Sequence, residues 1–124
     1  MSVKKYGVVQ GRLLQQVGDH IQNFPIENWR DEFRIAYDVG ATHIEWSDKR
    51  PALYDNPIRY ISRDYVASLE VPISGICVDS IMELDAGVNG SARLKVLCDA
   101  ASHALRVGVG RLIIPLLERA SVRN

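Results

Sequence analysis

Four short apolar runs, each separated from the next by a longer amphipathic stretch, limit the folds open to this chain more than any single motif does. The runs are Gly7-Val8-Val9-Gln10, Thr42-His43-Ile44-Glu45-Trp46, Ile73-Ser74-Gly75-Ile76-Cys77-Val78 and Arg111-Leu112-Ile113-Ile114-Pro115-Leu116-Leu117. Strand-length runs alternating with helix-length stretches are the pattern of βα units. The fourth run has almost no period-2 alternation, as in a strand covered on both faces of a parallel sheet or in a barrel wall. The order read from the sequence is therefore β-α-β-α-β-α-β, four parallel strands with three intervening helices. Right-handed crossovers between neighbours give either half of a (β/α)8 barrel or a small open sheet.

The helices carry their own signals. Asn28 is a candidate cap with Asp31 three residues on, and Trp29, Phe33, Ala36 and Gly40 share a face. Before the fourth run, Ser91 is the expected cap and Leu94, Leu97, Cys98, Ala101 and Leu105 form the expected core stripe, ended by Gly108. Between Pro57 and Leu69 the spacing of Ile58, Ile61, Tyr65 and Leu69 allows only a short helix before Val71-Pro72.

Composition narrows the function. The 124 residues suit a single domain, 1–124, and a 47% hydrophobic, 24% charged balance is that of a globular protein. Fifteen Lys+Arg offset fifteen Asp+Glu, so neither a nucleic-acid nor an anionic-membrane partner has electrostatic support. The longest apolar stretch, Leu112 to Leu117, is far short of the ~20 residues of a membrane span. Cys77 and Cys98 have neither metal-ligand nor disulfide-framework spacing, which points to a reducing, cytoplasmic setting.

Polar residues close every run: Gln10 and Arg12 the first, Glu45 and Asp48 the second, Asp79 the third and Glu118 the fourth. In parallel α/β folds these strand ends share one rim, the usual place of the active site. At ~4.8 Å per strand, Glu45 and Glu118 are roughly 10 Å apart. That is wide for a retaining glycosidase pair, which needs ~5–5.5 Å. Proton transfer at a carbon next to a carbonyl suits them better. Arg12 suits a substrate phosphate or carboxylate, and Trp46 either stacks on a sugar or packs under a helix. His20, His43 and His103 fall in different places and form no zinc cluster.

Several of these segments resemble the sugar phosphate isomerase/epimerase family of xylose-isomerase-like TIM barrels. They are Gly7 to Leu13, Ile21-Gln22, Phe24-Pro25, Trp29 to Phe33, His43 to Trp46, Asn56-Pro57, Ile76 to Asp79 and Ile114 to Val122. Two departures are Leu14-Gln15-Gln16 in place of Ser-Pro-Pro and a shortened stretch between Asn56 and Pro72. Such barrels need ~250 residues, so the resemblance is to an N-terminal half. It implies a rim binding a small sugar or sugar phosphate, and isomerisation or epimerisation by proton transfer with a divalent metal. Most of the metal ligands would come from strands this sequence lacks. Glu45 and Glu118 are the catalytic candidates; Gln10, Arg12, Trp46 and Asp79 are substrate contacts.

A half-barrel leaves the edges of the first and fourth strands unpaired and exposes a concave face that the sequence predicts to be apolar. Such a surface favours a homodimer or association with a missing C-terminal half. The chain stops at Asn124 without a helix over the fourth strand, which reads as truncation and predicts weak or no activity for this half alone. The readings from another class are a non-catalytic half-barrel interaction module and a dimerising sugar-phosphate binder.

Overall fold

The computed structural model describes residues 4–15, 23–49, 55–84 and 90–116. The apolar runs become β1 (Gly7–Val9), β2 (His43–Ser47), β3 (Ile73–Cys77) and β4 (Leu112–Ile113). All three pairings are parallel and the strands lie side by side in chain order, β1-β2-β3-β4. Between them run α1 (Trp29–Asp38), α2 (Arg63–Ala67) and α3 (Gly90–Val107), with 3-10 turns at Pro57–Arg59 and Asp79–Glu83. The fold is α/β with a four-stranded parallel sheet, as the alternation predicts. Among the described residues, no helix is long and apolar enough to cross a membrane.

Strand alternation sorts the side chains onto two faces. Val8, Ile44, Trp46, Ile73, Ile76 and Leu112 point to the helices; Ile44, Trp46, Ile73 and Ile76 are buried in one core with Phe24, Phe33, Ala36 and Val107. A register shift between Ile44 and Glu45 sets Ile44 against Ile73 but Glu45 against Gly75. Ser74 is thus the extra residue, and Ile73 and Ile76 both reach the core although three positions apart.

The opposite face is not the apolar surface expected of it. The His43 ring covers Gly7, where a Cβ would lie 2.0 Å from Nε2, and the Arg111 stem covers Gly75. Glu45, Ser47 and Cys77 share this face by register, with Val9 and Ile113 as its apolar members. Polar side chains at alternate positions account for the difference.

Two helix expectations are also corrected. Asn28 precedes α1 but its side chain makes no capping bond, although Gly40 does follow the helix at φ +83°. Ser91 lies inside α3 rather than before it, and most of the predicted core stripe turns outward: Leu97 packs against Val78, Ile81 and Ala100, but Leu94 is 62% and Leu105 77% exposed, and Cys98 is exposed too. The buried stripe is Ala100, Ala104 and Val107. Small side chains bring the helix axis close to β3 and β4, so Leu94 and Leu105 are left outside.

Glu32 is a fully buried carboxylate on the apolar side of α1. It accepts from Gly11 N–H with both oxygens at 2.8 Å and from Leu13 N–H at 3.1 Å. The loop after β1, which turns at Gly11 with φ +91°, is thereby tied to the helix that follows. Burial pushes the Glu32 carboxyl above its usual range against the pull of these donors. Glu32→Ala strands those N–H groups and is expected to cost about 1–3 kcal/mol. Urea denaturation reads this as a lower midpoint at constant slope; an unchanged midpoint would mean the loop is held by other contacts.

Candidate functional site

The C-terminal ends of β1, β2 and β3 are joined by one polar network. Gln10 continues β1, its N–H donating to Glu45 O at 3.0 Å, and its side-chain Oε1 accepts from Ser47 N–H at 3.0 Å. Ser47, the last residue of β2, donates its hydroxyl to Asp79 Oδ2 at 2.5 Å. The second oxygen of Asp79 accepts from Cys77 Sγ at 3.2 Å. One residue further along β2, Asp48 accepts from Ser80 N–H at 3.0 Å and Ser80 Oγ at 2.8 Å. Gln10, Ser47 and Asp79 are buried.

Two groups of this rim have unused capacity. Gln10 is 2% exposed, and its Nε2 is buried with no hydrogen-bond partner. A buried amide N–H pair without an acceptor is costly and marks a place where one belongs. The half-buried Glu45 carboxylate lies on the open face near enough to Cys77 to act on it electrostatically, and accepts no hydrogen bond among the described residues.

The remaining candidates separate. Arg12 is exposed; its backbone N–H donates to Val9 O at 3.2 Å and also acts on the Glu32 carboxylate. Trp46 is 0% exposed on the helix face, with ring centroids 5.3 Å from Trp29 and 5.4 Å from Phe24. Its indole N–H donates to Asn56 Oδ1 at 2.9 Å, so of its two readings the structure places it in the packing one. Glu118 lies outside the described residues. Gln10 and Asp79 are thus brought to one network beside Glu45, while Arg12 and Trp46 stand apart.

Sequence reasoning missed Ser47, Cys77 and Asn56. Ser47 and Cys77 were legible as the period-2 partners of Glu45 and Gly75. Asn56 precedes Pro57, an Asx-cap signal; its Nδ2 donates to Ser47 O at 2.9 Å and Lys49 O at 2.8 Å, holding the end of β2.

Electrostatics assign the protons. Burial, reinforced by Asp79, pushes the Cys77 thiol far above its usual range, so it serves as a donor and not as a nucleophile. Burial also raises Asp48 over the opposing pull of Ser80. No group of three or more His, Cys, Asp or Glu among the described residues is placed to hold a metal ion. Asp48 and Asp79 both have their two oxygens occupied by neighbours. The divalent metal implied by the resemblance therefore does not fit the described residues. Behind this rim, on the helix side, a cavity of about 330 Å³ is lined by Asp48, Ser80, Arg59, Asp99 and His103 above an apolar floor.

A scan of known protein families finds none that matches the chain, and a search of curated proteins finds no significant relative.

Because Asp48 holds its proton more tightly folded than unfolded, its contribution to stability is full below the unfolded value of ~4. It is lost as pH rises through the folded value. Asp48→Asn is expected to flatten the decline of the urea midpoint above pH ~4; a profile identical to the parent's would contradict the assignment.

Proposed function

We propose that this rim is the sugar- or sugar-phosphate-binding half of an isomerase- or epimerase-type (β/α)8 barrel. In this reading Glu45 moves a proton at a carbon next to a carbonyl. The observation that carries it is the presence, at the same end of neighbouring strands, of the unpartnered Gln10 amide and the Glu45 carboxylate. A buried N–H donor suits a substrate hydroxyl or carbonyl oxygen, and a carboxylate unengaged by the described residues suits a base. Strand order supports the same reading. Doubly wound sheets reverse their order at a switch point where the ligand sits, whereas here the order runs 1-2-3-4, as barrel strands do.

Each residue then has a task. Gln10 holds a polar oxygen of the substrate. Asp79, held by Ser47 and Cys77, keeps the rim negative and orients the Ser47 hydroxyl. Glu45 takes the proton from the carbon and returns it to the same or the neighbouring carbon. No step runs through a metal.

Ribulose 5-phosphate in deuterated water tests this reading. The expected result is shift changes at Gln10, Ser47 and Asp79 amides in a ¹H–¹⁵N titration, and slow deuterium uptake at the carbon beside the carbonyl. Glu45→Gln should keep the binding and lower uptake at least ~10²-fold. Gln10→Leu should weaken binding by about tenfold, as loss of one hydrogen bond predicts. Millimolar ligand that leaves the rim amides unmoved would overturn the reading.

A further inference from the structure

The cavity behind the rim has no part in anything described so far. At about 330 Å³ it is the size of a small-molecule pocket and not of a packing defect. Its floor is apolar: Ile58, Ile76 and Ala100 are buried there, with Val96 beside them. Its walls carry charge of both signs, from separate elements. Arg59 ends the first 3-10 turn, while Lys95, Asp99 and His103 follow one another at i, i+4 spacing along α3 and so share one helix face.

These charges do not neutralise one another. Arg59 and Asp99 both lie near enough to His103 to act on it. Burial first, then Arg59 and Arg106, hold its ring below the usual range, and Asp99 acts in the opposite sense. Yet among the described residues neither Arg59 nor Asp99 makes an ion pair or a side-chain hydrogen bond. The cavity thus keeps a half-buried guanidinium apart from a half-buried carboxylate. Asp48 adds no free acceptor, because Ser80 occupies both its oxygens. Lys95 and Glu83 are exposed, one of each sign, and water serves them.

A ligand with a single charge fits poorly here. An anion on Arg59 has the Asp99 carboxylate for a neighbour, and a cation on Asp99 has the Arg59 guanidinium. A molecule bearing both charges on adjoining atoms satisfies both, and the guanidinium fork suits a carboxylate. The apolar floor favours an aliphatic group on the same molecule. We propose that this cavity binds a free α-amino acid with an aliphatic side chain. Its carboxylate lies on Arg59, its ammonium on Asp99 and its side chain over Ile58, Ile76 and Val96. Arg59 and Asp99 take no part in the sugar reading, so the proposal does not rest on it.

A ¹H–¹⁵N titration of the full chain with L-leucine tests it. Saturable shifts are expected at the Arg59, Ser80, Asp99 and His103 amides. Isocaproate, which lacks the ammonium, and isoamylamine, which lacks the carboxylate, should each bind at least ~10-fold more weakly. Arg59→Gln and Asp99→Asn should each weaken leucine binding by ~10- to 100-fold with unchanged circular dichroism, as loss of a charge-assisted hydrogen bond predicts. The comparison of the three ligands uses the unaltered chain, so it decides the matter even where a variant fails to fold. Millimolar leucine that moves none of these amides would overturn the proposal. So would either singly charged analogue binding as tightly as leucine, or a folded Asp99→Asn chain that keeps the parent's affinity.

Discussion

Burial of Trp46 is the contact on which the rest of the site depends. The indole fills the space between β2 and α1 against Phe24, Trp29 and Phe33, and its N–H is satisfied by Asn56. With a side-chain period of two, an inward Trp46 forces Glu45 and Ser47 to the other face. Slipping β2 by one residue would turn a carboxylate into the apolar core and expose the largest side chain there. The same residue that looked like a sugar platform therefore aims the two neighbours that can do chemistry.

Asn56 extends this control. It accepts from the indole and from Ile58 N–H, and donates to the carbonyls of Ser47, which ends β2, and of Lys49 just past it, so all its polar capacity is spent locally. Ser47 is then fixed on both sides, by Gln10 at its N–H and by Asp79 at its hydroxyl. A rim with this many internal bonds is stiff, and the one amide left over, Nε2 of Gln10, is conspicuous for that reason. Stiffness at the rim lets it recognise a ligand without ordering cost at the moment of binding.

Strands and their order were legible because buried parallel strands announce themselves as apolar runs bounded by polar ends. The site was half legible: Gln10, Glu45 and Asp79 stood out as strand-end polar residues, but Trp46 offered two readings that only the pleat direction resolves. Ser47 was hidden because a serine after a tryptophan carries no chemical signal until the face of its strand is known. Glu32 was visible as an acid among Trp29, Phe33 and Ala36 on one helical stripe, yet its role needs the β1 loop folded over it.

The misread face of α3 has a general cause. Hydrophobic periodicity weights leucine above alanine, so a helix with leucines on one side and Ala100, Ala104 and Val107 on another is oriented by its larger residues. Packing on a sheet reverses that preference wherever the helix must lie close, because distance is set by the side chains trapped between backbone layers. Both stripes of α3 are then apolar for separate reasons: the small one closes on β3 and β4, and the large one remains after the core is full.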